Sequence, residues 1–494
     1  MNQRPLKILF VTSEVYPLIK TGGLADVSSG LPLALKALGH DVRIIIPAYK
    51  SALENAGTTK VRLKNIANSG FRLLEGALPN SKVPVWFLDA PELYYRNGGP
   101  YGAPNGTDWP DNAERFNEFC KVASQIAMDD LNLNWQPDVV HCNDWQSGLV
   151  PVYLSEEKKR PATIITIHNI AYAGFFSQQT FDRLSLNPEW WSYDKLEFHD
   201  QFSFLKGALV YSDFVNTVSP TYAKQILTPE YGYGMEGLLE HRKDKLIGIL
   251  NGIDEQHWNP ETDELIAKNY NFETLKDKAE NKRAVLEHFK LPQDLDKPLI
   301  GVIGRMVEQK GFDLIREILP SLMESNTQVV MLGSGDKQLE ASLLQCMESY
   351  PDRIAIDIGY NETLAHLIEA GSDIFLMPSR FEPCGLNQFY SLKYGTVPVV
   401  NNTGGLADSV VDTYAETLTN QTATGFKLYE ATSEALLSAV NRALYSYHSP
   451  LEWSNIIRNG MRQDFSWLNS AQHYLALYHE TIKSQGSQER DKSV

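Results

Sequence analysis

The sequence predicts an α/β protein of two doubly wound units, each a parallel sheet with helices on both faces. Three observations predict it. Short apolar runs alternate with helical spacing twice over, on either side of a charged stretch at 255–297. The hexapeptide Thr-Gly-Gly-Leu-Ala-Asp stands at 21–26 and again at 403–408, each time between an apolar run and a helical pattern. The length, 494 residues, exceeds one compact core and suggests two to three domains.

The first unit opens with a buried-strand run at 6–13. Lys20-Thr21-Gly22-Gly23-Leu24-Ala25-Asp26 follows, and a helical pattern through Leu31, Leu35 and Leu38 stops at Gly39. Strand, glycine turn and helix make an anion-binding geometry. The glycines let backbone approach a ligand, and the helix N-terminus offers unpaired N–H groups. Lys20 adds a mobile positive charge, and Asp26 is an acid that a sugar hydroxyl can meet. A plain strand-to-helix connection is the alternative. Further strands are expected at 41–47, 83–88, 138–142, 162–167 and 214–218, with helices at 112–131, 148–158 and 201–211.

The second unit begins with a strand at 299–303 and continues with strands at 328–332, 353–358, 374–377 and 397–400. A helix is expected at 409–415, after the second hexapeptide. A last helix is expected at 470–484, followed by a mobile polar tail at 485–490.

Composition narrows the function. With 43% apolar and 21% charged residues, the chain is an ordinary globular protein. A net charge of −16 disfavours nucleic acid and anionic membranes as partners. Cys120, Cys142, Cys346 and Cys384 are scattered, so neither a disulfide framework nor a zinc spacing is indicated. The first residues run straight into the first strand, leaving no room for a signal or transit peptide, and no apolar stretch is long enough to span a bilayer. A cytoplasmic protein is expected.

Polar groups recur at the expected C-terminal ends of strands, where open α/β sheets bind ligands. His168 is one, with a structural hydrogen-bonded histidine as the alternative. Asp144 beside Trp145 is another, with a helix cap as the alternative. Arg305 and Lys310 lie close to a glycine turn in Gly304-Arg305-Met306-Val307-Glu308-Gln309-Lys310-Gly311, and two cations there suit a diphosphate, with a solvated charged loop as the alternative. Glu382, between Phe381 and Pro383, can accept sugar hydroxyls or cap the helix that begins near Gly385. No Ser-His-Asp order, HExxH or GxxxxGK[ST] is present, which argues against the common hydrolase and nucleotide-hydrolase templates.

Taken in order, Lys20 to Asp26, His141 to Trp145, His168-Asn169, Asn251-Gly252-Ile253-Asp254, Gly304-Arg305 with Lys310-Gly311, Ser379 to Leu386 and Thr403 to Leu406 closely resemble the bacterial glycogen synthases and plant starch synthases. The resemblance covers nearly the whole chain. It implies a GT-B glycosyltransferase: two facing Rossmann-like domains with the active site in the cleft between them. The implied acceptor-side domain is 1–254, with a C-terminal helix at about 460–484 packing back on it. The implied donor-side domain is 255–459.

The implied reaction is retaining transfer of glucose from ADP-glucose to the non-reducing end of an α-1,4-glucan. No cofactor or metal is implied, and no Asp-x-Asp cluster is placed for Mg²⁺. By this resemblance Lys20, Gly22 and Gly23 lie near the donor phosphates, and Arg305 and Lys310 hold the departing diphosphate. His168 lies by the transferred glucose, and Glu382 orients it. The backbone at Cys384, Gly385, Leu386 and Asn387 contacts sugar and phosphate. Asp26, Asp144 and Asn251 bind sugar hydroxyls, and Tyr101 stacks on the base. Asn387 stands where many bacterial members carry Thr and some plant members carry Asn. Two alternatives remain: a transferase of the same fold using UDP-glucose or a small-sugar acceptor, and a non-catalytic α-glucan-binding protein. A pure binder has no need of the Arg305 and Lys310 cations.

Overall fold

The structure is a computed structural model that describes residues 4–66 and 69–491, with side chains to 486. It divides into two compact units, Met1–Gly252 with Trp467–Val494, and Ile253–Ser466.

The first unit carries β1 (Lys7–Val11), β2 (Asp41–Pro47), β3 (Lys60–Leu63), β4 (Arg72–Ala77), β5 (Pro84–Asp89), β6 (Val139–Asn143), β7 (Ala162–Ile167), β8 (Phe175–Ser177), β9 (Glu197–Phe198), β10 (Gln201–Ser203), β11 (Phe214–Thr217) and β12 (Leu246–Gly248). Its main sheet runs β12-β11-β7-β6-β1-β2-β5-β4-β3. The pairings from β12 to β5 are parallel, and β4 and β3 close one edge antiparallel. In β1 every residue after Lys7 is buried, because a central parallel strand is covered on both faces. This explains why these strands read as unbroken apolar runs rather than alternations.

The second unit carries β13 (Leu299–Ile303), β14 (Gln328–Gly333), β15 (Ile354–Ile358), β16 (Ile374–Met377), β17 (Val397–Asn401) and β18 (Phe426–Leu428). All are parallel, in the order β15-β14-β13-β16-β17-β18. The order turns about β13, so the loops after β13 and β16 open at a topological switch point, where such sheets take ligands.

The sequence-based expectations differ from the structure at five places. The 201–211 segment is strand β10 followed by a helix at Phe204–Tyr211. The Ser203 hydroxyl caps that helix by accepting from Lys206 N, so the helix cannot start earlier. The helix expected at 148–158 is a 3₁₀ turn at Trp145–Ser147 and a short helix at Val150–Leu154. After the second hexapeptide the helix is Gly404–Ser409, starting on the glycines themselves, and the next begins at Ala415. The polar 485–490 tail continues the last helix, which runs Trp467–Asp491. The unit boundaries lie at 252/253 and 466/467, not 254/255 and 459/460. Ile253 N donates to Phe465 O at 2.8 Å, which ties both crossing strands into the second unit.

The last helix joins the first unit through buried polar contacts. Tyr478 OH and Thr166 Oγ1 flank His141, at 2.8 Å from Nδ1 and 2.7 Å from Nε2. Thr166 in turn donates to Asn216 Oδ1 at 2.9 Å, and Tyr474 OH donates to the same oxygen at 3.0 Å. Because Thr166 spends its proton on Asn216, its oxygen accepts from His141 Nε2–H, and Tyr478 donates to Nδ1. Gly30 completes the fit: a Cβ there would lie 2.0 Å from the Trp467 indole nitrogen.

Candidate active site

In the first unit, the opening loop is organised from below by Glu14, which the sequence reading passed over. Its buried carboxylate accepts from Thr21 N and the Thr21 hydroxyl at 2.5 Å each, from Gly22 N at 3.3 Å, and from Tyr101 OH at 2.5 Å. Tyr101 also bonds Ser13 and packs its ring near Phe116, 6.1 Å between centroids. Tyr101, expected to stack on a base, thus also braces the loop through its hydroxyl. The helix Gly23–Ala37 starts at the second glycine. A Cβ at Gly22 or Gly23 would meet nothing within 4 Å, so the space over the loop is open. Lys20 and Asp26 pair with each other across it at 2.7 Å.

At the C-terminal ends of β6 and β7, Asp144 and His168 form a second group. Asp144 Oδ1 accepts from His168 N at 2.8 Å. Asp144 has φ +52°, a conformation that non-glycine residues rarely adopt and that marks stored backbone strain. Burial pushes its carboxyl up to about 7, against the backbone hydrogen bonds from His168 and Asn169. Burial pushes the His168 imidazole down to about 3, so the ring is neutral at pH 7. Asn143 gives its amide protons to Val11 O and His141 O, and its Oδ1 faces His168 Nε2 at 3.0 Å. His168 is therefore protonated on Nε2. Asn251 is buried, and its Oδ1 has no hydrogen-bond partner among the described residues.

In the second unit, the loops after β13, β16 and β17 meet. Lys310 ends a 3₁₀ turn at Glu308–Lys310 and bonds the Glu382 carboxylate, which the Ser379 hydroxyl also reaches at 3.1 Å. Arg380 grips Asp313 through two bonds, 2.7 and 2.6 Å, and Gln309 Nε2 donates to Phe381 O at 3.1 Å. These contacts lock the β16 loop onto the β13 loop. Gly311, at φ +74°, permits the approach, since a Cβ there would lie 2.4 Å from Pro378 O.

The second hexapeptide presses on the same loop from below. Cβ atoms on Gly404 and Gly405 would lie 1.9 Å from Glu382 O and 2.2 Å from Cys384 O. Asn387 starts the helix Asn387–Lys393 and donates to Ile303 O at 3.0 Å, tying it to the end of β13. Cys384 is buried, and Gly385 has φ +75°. Leu386 stands at the helix N-cap. Arg305, on the β13 loop, is exposed and forms no side-chain ion pair among the described residues. The Asp294-Leu295-Asp296 triplet precedes β13, at the opposite end of that strand from Arg305.

The structure thus gathers Lys20, Gly22, Gly23 and Asp26 at one loop, with Tyr101 reaching in from a separate loop to bond Glu14 beneath it, and Asp144 with His168 at the neighbouring strand ends. It gathers Arg305, Lys310, Glu382 and 384–387 on the second unit's switch-point loops. Glu14, Asn143, Ser379 and Asn401, which donates to Ser379 O at 2.9 Å, support them and were not singled out from sequence. Only a buried acid one turn before a glycine loop could have signalled Glu14.

Two nucleotide-binding-type sheets, one with a lysine–carboxylate pair and a nearby arginine at its switch point, define a glycosyltransferase of the GT-B class. The starch synthase catalytic domain family matches residues 7–241, and the glycosyl transferases group 1 family matches residues 286–460. The chain is 53% identical to glycogen synthase 1 of Methylococcus capsulatus, over 97% of both chains. It is 52% identical to the glycogen synthase of Thioalkalivibrio sulfidiphilus, over 97% of this chain and all of that one. The catalytic domain of starch synthase IV from Arabidopsis thaliana, solved with ADP and acarbose, superposes with a TM-score of 0.85 at 31% identity, over 97% of this chain and 100% of that one. The chain belongs to the glycogen and starch synthase family of glycosyltransferases.

Proposed function

We propose that this chain is a glycogen synthase that takes ADP-glucose as donor and extends the non-reducing end of an α-1,4-glucan with retention at the anomeric carbon, in the cytoplasm and without a metal. The observation that carries this reading is the Lys310–Glu382 pair, held over Gly311 on the same β13 loop as the exposed Arg305. The ADP in the starch synthase IV structure supports the adenine choice.

In this reading the diphosphate is the leaving group. Its charge grows as the glycosidic bond to phosphate breaks, and Arg305 and Lys310 supply the counter-charge. Lys20 and the N–H groups at Gly22 and Gly23 serve phosphate oxygens, as do those at Cys384 to Asn387. Glu382 accepts glucose hydroxyls, and its bonds from Lys310 and Ser379 hold the carboxylate in place for that. His168, neutral and protonated on Nε2, serves through its backbone carbonyl and ring, not as a cation. Asp26, Asp144 and Asn251 take sugar hydroxyls.

The test is transfer of labelled glucose to glycogen from ADP-glucose and UDP-glucose in parallel, with EDTA present. Strong incorporation from ADP-glucose alone is expected. Incorporation only from UDP-glucose overturns the donor assignment. A large loss with EDTA that Mg²⁺ restores overturns the metal-free chemistry.

A further inference from the structure

The second unit holds a polar cluster that the transfer chemistry does not use. His257 follows a turn in which Asp254 Oδ1 accepts from Gln256 N at 2.9 Å. Glu362 and His366 lie four residues apart on the helix Glu362–Gly371 and therefore share one face. Each of the three side chains brings one ligand atom within 4.8 Å of those of the other two. His257 Nε2 lies 3.0 Å from Glu362 Oε1.

His366 is the informative member. It is fully buried, and its Nδ1 lies 2.7 Å from Asp263 Oδ2, itself buried. Nδ1–H donates to the carboxylate, so in the neutral ring Nε2 carries the lone pair. That Nε2 is buried and has no hydrogen-bond partner among the described residues. An unmet buried acceptor costs about 1–3 kcal/mol. Its ring is also fixed: Trp258 stacks on it at 3.7 Å between centroids and on Tyr390 at 3.8 Å on its other side. A carboxylate that orients a histidine through Nδ1 and presents Nε2 is the arrangement that metal-ligating histidines use.

We propose that His257, Glu362 and His366 bind one divalent transition-metal ion of the Zn²⁺ kind. Two imidazoles and a carboxylate are a borderline-soft donor set that suits Zn²⁺ over Mg²⁺ or Ca²⁺. Ligand bonds of about 2.1 Å in a tetrahedron place donors about 3.4 Å apart. His257 and Glu362 are partly exposed, so their side chains can swing inward while His366 stays fixed. The ion satisfies the His366 lone pair, which the His257–Glu362 hydrogen bond does not. It also ties the segment after Ile253, where the chain enters this unit, to the helix Glu362–Gly371. The site is structural, and its fourth position is left to water.

The test uses the full chain, stripped with chelator and titrated with ZnCl₂ by calorimetry, and with Co²⁺ by visible absorption. One equivalent binding in the micromolar range or tighter, a tetrahedral Co²⁺ spectrum and a Tm higher by several degrees are expected. His257→Ala and Glu362→Gln each weaken binding at least tenfold. Absence of saturable one-equivalent binding overturns the proposal, as does unchanged affinity in both variants. Anomalous diffraction at the zinc edge provides a second measurement that needs no variant: a peak between the three side chains supports the site, and a peak only elsewhere overturns it.

Discussion

The carbonyl oxygen of Glu382 lies 1.9 Å from the point where a Cβ on Gly404 would stand. Gly404 also has φ +44°. Its copy in the first hexapeptide, Gly22, has φ −155° and open space where a Cβ would go. The same six residues thus serve two ends. In one copy the glycines admit a neighbouring loop, and in the other they leave room above the chain. Gly404→Ala is expected to displace the Glu382 loop, lower transfer at least 100-fold and destabilise by about 1–3 kcal/mol. Gly22→Ala is expected to leave Tm within about a degree, since nothing is displaced. Equal Tm losses in the two variants would refute this division of labour.

Arg305 and Lys310 separate by stability. Arg305 is exposed and forms no ion pair among the described residues, so Arg305→Ala is expected to change stability by no more than about 0.5 kcal/mol. Its kcat is expected to fall 100-fold or more, with glucan binding intact. Lys310→Ala leaves the buried Glu382 carboxylate without its cation, so it loses both kcat and stability, by up to about 3 kcal/mol. Denaturation curves beside steady-state kinetics check the contrast. Unchanged turnover in both variants would sink the leaving-group assignment.

Much of this was legible in the sequence because parallel strands covered on both faces are continuous apolar runs, and β2, β7, β13 and β16 fall where such runs fall. The two glycine turns and the cations beside them were legible because glycine and charge are local signals. What escaped depended on partners far along the chain. Glu14 acts through Thr21 and Tyr101, and His141 through Tyr478, 337 residues away. The Gln201–Ser203 strand has helical spacing but pairs with β8 and β9, and that pairing overrides the local pattern.

Tyr101 offers a direct choice between two roles. If it braces Glu14 through its hydroxyl, Tyr101→Phe removes that bond and kcat/KM for the donor falls about tenfold. If its ring is a platform for a base, Tyr101→Phe keeps activity and only Tyr101→Ala loses it. We expect the first pattern. Donor titrations on the two variants decide, and full activity in Tyr101→Phe would restore the stacking role.

Unit one also sets a pH dependence with two opposite signs. Burial holds His141 at about 3 in the folded chain, against an unfolded value near 6.5. The unfolded state then binds the extra proton between those values, so stability is lost as pH falls below about 6.5 and continues to fall to about 3. The slope is about 1.4 kcal/mol per pH unit for one such group. Protonation there also removes the acceptor that Tyr478 OH uses, so the last helix loosens with it. Asp144 acts the other way. Its folded value of about 7 exceeds the unfolded 3.8, so its carboxyl lowers stability as pH rises from about 4 to 7. Asp144→Asn keeps an oxygen for His168 N and removes the charge. Tm of Asp144→Asn is therefore expected to gain on wild type as pH rises from 4 to 7, and His141→Gln to remove its own share of the loss below pH 6.5, leaving the share of His168, which burial also holds at about 3. Parallel Tm curves for wild type and both variants across pH 4–8 would show that neither group titrates as its burial requires.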